Sequence, residues 1–82
     1  MMKFDDKSFI AQQIKIHRKI AGLTQEELAE MVELSTQHIS RIESACYIPS
    51  LKSFFLIASK LNMDLRLFGF NTELTNNPIK DK

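Results

Sequence analysis

The sequence predicts a small all-α domain, and three observations carry that expectation. Helix-forming residues dominate, with only two Gly and two Pro in 82 residues, so breakers are scarce. A helix-start signal then recurs eleven residues later: Leu23-Thr24 leads to Glu27 and Leu28, and Leu34-Ser35 leads to His38 and Ile39. Finally, 44% apolar content in a chain of this length suits one core. Such a core is marginal alone, which makes a homodimer the expectation.

The first helix is expected from Asp6 or Ser8 to Ala21, behind an N-terminal arm of residues 1–7. Ile10, Ile14 and Ala21 share a face, with His17 and Arg18 beside them. Gly22 ends the helix as a left-handed residue. A single His on an apolar stripe reads as packed and hydrogen-bonded rather than as a metal ligand.

In the second helix Thr24 and Glu27 form a capping box, and Leu23 can pack on Leu28 as a hydrophobic staple. Glu26 and Glu27 sit at the positive end of the helix dipole. Gln25 follows the cap, where an amide and free backbone N–H groups can hold a phosphate; an ordinary first helical residue is the plainer alternative.

A tight turn near Glu33 leads to a third helix over 35–44, capped by Ser35 and stapled by Leu34 on Ile39. Two short helices joined this way are the grammar of a helix-turn-helix. Ile39 and Ile42 point inward. The outward residues are Thr36, Gln37 and His38, then Ser40 and Arg41, with no acid until Glu43. Solvated faces usually carry Glu and Lys. A helix in the major groove instead uses residues like these, Gln to adenine, Arg to guanine, Thr to a thymine methyl or a phosphate.

Pro49-Ser50 opens a fourth helix whose apolar face, Leu51, Phe54, Phe55, Ile57, Ala58 and Leu61, is too wide to pack on one side alone. Asn62 ends it. Over 63–70, Met63, Leu65 and Leu67 alternate like a strand, while Leu61, Leu65 and Phe68 repeat like a helix. Either way Leu65, Phe68 and Phe70 are expected at a buried dimer contact. The polar tail, 71–82, is expected to be disordered.

Net charge is +1, which provides little steering toward nucleic acid. Its distribution is uneven: +3 over residues 1–24, −4 over 25–50 and +2 over 51–82. Contact with DNA must therefore come from local placement. The single Cys46 excludes an intrachain disulfide or a Cys-rich metal site and reads as a half-buried small residue, with a redox sensor as the sharper alternative. No apolar run approaches the ~20 residues of a membrane span, so a soluble, cytoplasmic protein is expected. No nucleophile–base pair, carboxylate pair in an apolar pocket or Gly-rich phosphate loop is present, so no enzyme, cofactor or metal is expected.

Arg18, Gly22-Leu23-Thr24-Gln25-Glu26-Glu27-Leu28-Ala29, Ile39-Ser40-Arg41-Ile42-Glu43 and Pro49-Ser50-Leu51 resemble the Cro/C1-type (XRE) helix-turn-helix family. The resemblance runs without a gap from about Ile14 to Leu65. It implies a five-helix, lambda-repressor-like domain over 8–70, with the last helix replaced in antitoxin-type members by a short dimerising strand. It implies an ion pair between Arg18 and Glu43 that braces the reading helix. Thr36, Gln37, His38 and Arg41 are then the candidates for bases, and Gln25, Ser35 and Ser40 for phosphates. Two departures stand out: Glu33 occupies the usual glycine of the turn, and Ser44-Ala45-Cys46-Tyr47 replaces an Asn-Gly followed by basic residues. Ser44, Tyr47 and Lys52 are the candidates to replace those phosphate contacts. The implied function is sequence-specific binding of double-stranded DNA by a homodimer on a palindromic operator, as a transcriptional regulator expected to repress. The alternative is an antitoxin-type protein that holds a toxin partner while controlling its own operon.

Overall fold

The computed structural model describes residues 6–68. The chain forms α1 (Asp6–Ile20), α2 (Gln25–Met31), α3 (Thr36–Glu43) and α4 (Leu51–Leu61), then a 3-10 turn over Leu65–Phe68. There are four α-helices and no strand among the described residues. Within the ambiguous segment Leu65–Phe68 is thus helical, as one short 3-10 turn rather than a fifth α-helix among the described residues. Residues 6 and 7 of the expected arm already belong to α1; its residues 1–5, Phe70 and the tail 71–82 lie outside the described residues.

Each start signal acts as the sequence predicts. The Thr24 hydroxyl accepts from Glu27 N–H at 3.0 Å while the Glu27 carboxylate accepts from Thr24 N–H at 2.8 Å. Ser35 Oγ accepts from His38 N–H at 3.0 Å and Ser50 Oγ from Ser53 N–H at 3.1 Å. These bonds satisfy N–H groups that have no partner within the helix.

All four helices also end alike. The N–H two residues past the last helical turn reaches back to a carbonyl five residues earlier: Leu23 to Arg18, Leu34 to Ala29, Cys46 to Arg41 and Met63 to Ala58, at 2.9–3.1 Å. This closure needs one left-handed residue. Gly22 (φ 76°) supplies it once; Glu33 (φ 60°), Ala45 (φ 62°) and Asn62 (φ 56°) supply it elsewhere. The turn after α2 therefore keeps its shape without glycine, at a conformational cost of roughly 1–2 kcal/mol. Ala21 lies in the closing turn of α1 and is exposed, because the chain has already begun to leave the apolar face it was expected to extend.

Ile14, Leu28, Ile39, Ile42 and Ile57 are the largest fully buried side chains. They draw α2 onto α3, and α1 onto α3 and α4. Phe68 folds back into this core, its ring centroid 4.9 Å from Phe54 and 5.3 Å from Phe9. Of the wide α4 face, Phe54, Ile57, Ala58 and Leu61 are buried while Leu51 and Phe55 stay exposed. Ile20 is 75% exposed on α1. No helix among the described residues is long and apolar enough to cross a membrane.

Candidate nucleic-acid interface

The candidate interface is built on α3, and the first question is what holds that helix in place. At its C-terminal end Glu43 is gripped from two directions. Arg18 on α1 donates from Nε to Oε2 at 2.7 Å and from Nη2 to Oε1 at 3.1 Å. Gln25, the first residue of α2, donates from Nε2 to Oε1 at 3.0 Å. Arg18 also donates from Nη1 to the Leu23 carbonyl at 2.7 Å. One planar guanidinium thus joins α1, the α1–α2 turn and α3 in a fixed fork. The pair is nearly dry, with side-chain exposures of 9% for Arg18 and 3% for Glu43. No buried side-chain polar atom lacks a partner among the described residues.

The N-terminal end of α3 presents the candidate readers. Thr36, Gln37 and Arg41 are exposed, and no side-chain hydrogen bond to another described residue holds any of them. His38 is half-buried and its ring stands edge-on to Tyr47, with centroids 5.2 Å apart and planes at 89°. Ile39 and Ile42 turn into the core as the helical period requires. The structure therefore leaves Thr36, Gln37 and Arg41 exposed on a helix capped at one end and braced at the other, with His38 half-buried beside Tyr47.

The candidate phosphate ligands differ in what they have left to donate. Ser35 accepts the His38 N–H, which leaves its hydroxyl proton available. Gln25 uses one amide proton on Glu43 and retains the other. Ser44 donates its hydroxyl to the Ser40 carbonyl at 2.8 Å, and its backbone N–H reaches the same carbonyl at 3.0 Å. A phosphate could take a proton from Ser44 only by displacing one of these bonds. Ser40 is half-buried, and Lys52 is exposed near the start of α4. Tyr47 is half-buried against the core.

Beside this surface lies a shallow depression between α2 and the start of α3, lined by Glu26, Glu27, Glu30, Leu34, Ser35 and Thr36. Its carboxylates disfavour an anion inside the depression itself. His17, the other candidate for unusual chemistry, lies apart on α1 and has Nδ1 2.7 Å from the Gln13 carbonyl. Among the described residues no group of three or more His, Cys, Asp or Glu side chains could hold a metal. Cys46 is exposed rather than half-buried, because the left-handed turn at Ala45 carries it outward before Tyr47 returns to the core. Sequence reasoning missed the His38–Tyr47 contact, since nothing in the spacing of two residues nine apart across a loop announces it. It also missed the Leu23 carbonyl as a partner of Arg18.

Comparison with known proteins places this geometry in a family. A family model described as helix-turn-helix matches residues 14–68. An uncharacterised HTH-type transcriptional regulator of Methanothermobacter thermautotrophicus is 47% identical over 51 residues, which is 62% of this chain and 74% of that protein. A second such regulator, of Rickettsia prowazekii, is 32% identical over 71 residues, covering 87% of this chain and 55% of its own length. The ImmF control region 10 kDa protein of Bacillus phage phi105 is 39% identical over 54 residues, 66% of this chain and 60% of that protein. The chain thus spans little more than half the length of the second and third of these relatives. With the capping, the braced third helix and the outward polar surface in register with the matched region, the chain belongs to the helix-turn-helix family of the Cro/C1 (XRE) type, a family of DNA-binding transcription regulators.

Proposed function

We propose that the chain binds double-stranded DNA sequence-specifically as a homodimer and acts as a transcriptional repressor. The observation that carries this reading is the outward face of α3: Thr36, Gln37 and Arg41 exposed on a short helix clamped by the Ser35 cap and by Arg18 and Gln25 on Glu43. A rigid helix presenting hydrogen-bonding side chains suits direct readout in the major groove. Thr36, Gln37, His38 and Arg41 are assigned to base edges. Gln25, Ser35, Ser40 and Lys52 are assigned to phosphates, with Ser44 and Tyr47 as secondary candidates. The relatives' naming as transcriptional regulators supports the same reading.

The dimer rests on different grounds. Exposed Ile20, Ile48, Leu51 and Phe55 offer apolar area that a second copy could cover, and Leu65 and Phe68, only half-buried on their own core, are part of the proposed contact together with Phe70. Two copies would place their α3 helices on half-sites about 34–36 Å apart. The same apolar area favours a protein partner, such as a toxin held by an antitoxin-type regulator, as the second reading. Selection from random duplex DNA followed by a salt titration tests the first. The expected result is an inverted repeat whose affinity falls steeply as salt rises. Failure to enrich any sequence would transfer the weight to the protein partner.

A further inference from the structure

We propose that Tyr47 is a positioning residue for His38, so that the loop after α3 sets what His38 can read. The inference rests on α3 being the base-reading helix. His38 is the third residue of α3, and its backbone N–H is tied to Ser35 Oγ at 3.0 Å. Its neighbours Thr36, Gln37 and Arg41 are exposed, whereas the His38 ring is half-buried edge-on to Tyr47, centroids 5.2 Å apart and planes at 89°. Aromatic pairs favour that arrangement.

Tyr47 is held in turn. It packs on the hydrophobic core and follows the closing turn of α3, where Ala45 and Cys46 N–H groups reach the Ile42 and Arg41 carbonyls at 3.1 and 2.9 Å. One ring is therefore fixed from the helix cap and the other from the core. An exposed imidazole loses rotamer freedom when it meets a base, and one already held in place loses less. A neutral imidazole also carries its donor and its acceptor on different ring atoms. A change of rotamer changes which group meets the base edge, so Tyr47 acts on specificity as well as affinity. This role uses the ring and not the phenolic hydroxyl, which separates it from a phosphate contact made through that hydroxyl.

The test is a double-mutant cycle on the duplex that wild-type protein selects, with every single-base variant of one half-site. Tyr47→Ala is expected to weaken binding about two- to tenfold, the scale of an edge-to-face pair, and to flatten preference at the base pair that His38→Ala also flattens. Tyr47→Phe should retain the wild-type base preference, any loss from a hydroxyl–phosphate contact falling equally on all sequences, and Tyr47→Ala should flatten preference no further once His38 is Ala. In the free protein, the His38 ring resonances should move in Tyr47→Ala and stay in place in Tyr47→Phe, a readout that does not depend on DNA. Equal flattening of base preference in Tyr47→Phe and Tyr47→Ala, effects on preference that add to those of His38→Ala, or a loss in Tyr47→Ala that is uniform over all sequences would each overturn the proposal while leaving the base-reading helix intact. If the wild-type protein selects no sequence, both readings fall together.

Discussion

Replacing Arg18 with Met takes the guanidinium away from a carboxylate that has almost no access to water. Glu43 would retain the Gln25 amide at 3.0 Å, while losing two charge-assisted bonds at 2.7 and 3.1 Å. With the Glu43 side chain only 3% exposed, removing one partner of such a pair costs about 3–5 kcal/mol. A domain of 82 residues has a total stability of about 4–12 kcal/mol, so the single variant should lose from about a quarter to all of it. The denaturant midpoint should collapse, and the melting temperature should fall by more than about 12 °C. Adding Glu43→Leu removes the stranded charge. The Leu23 carbonyl then still lacks its donor, which costs about 1–3 kcal/mol, but the double variant should recover roughly 2 kcal/mol relative to Arg18→Met. Chemical denaturation of the wild type, both singles and the double measures this. An Arg18→Met loss under about 1 kcal/mol, or a double variant as unstable as the sum of the singles, would refute the argument that a dry ion pair braces α3.

Two further predictions concern the ends of the helices and the edge of the fold. Glu33→Gly and Ala45→Gly each relieve a left-handed non-glycine residue, a gain of about 1–2 kcal/mol reduced by about 0.5–1 kcal/mol of extra freedom in the unfolded chain; each should raise the melting temperature by about 2–8 °C. Asn62→Gly should leave it nearly unchanged, since Asn tolerates that conformation, and equal gains at all three positions would contradict the reasoning. Hydrogen bonds from the Arg66 side chain and backbone hold the Asp64 carboxyl below its usual range. Because its folded value lies below the unfolded one, the contribution is present above the ordinary Asp value of about 3.9 and is lost as pH falls through the folded value. Asp64→Asn should therefore flatten the acid side of the stability curve slightly, and an unchanged acid limb would remove the pair from the account.

The helix starts were legible because capping is local chemistry: a hydroxyl and the N–H three residues on lie within one turn, and Thr24, Ser35 and Ser50 all behave as their neighbours predict. The Arg18–Glu43 pair was legible only through resemblance, since residues 25 apart meet by tertiary packing that no periodicity encodes. Glycine-based reasoning found the end of α1 and flagged the turn at Glu33, but where Ser44-Ala45 replaces Asn-Gly it weighed only lost phosphate contacts and not the left-handed conformation that Ala45 adopts. The segment over 63–70 was ambiguous because both periods fit it. Packing of Phe68 against Phe54 and Phe9 favours a turn back onto the core, a choice made by partners distant in the chain.

The central claim, that α3 reads base edges through Gln37 and Arg41, is tested most directly by measuring how Arg41→Ala and Gln37→Ala bind the selected duplex and its single-base variants at fixed salt. The account predicts that each substitution costs about 1–3 kcal/mol on the selected sequence and erases discrimination at one base pair per half-site, with preference elsewhere retained. The same loss on every sequence, with discrimination intact at all positions, would contradict it and leave these side chains as backbone contacts only.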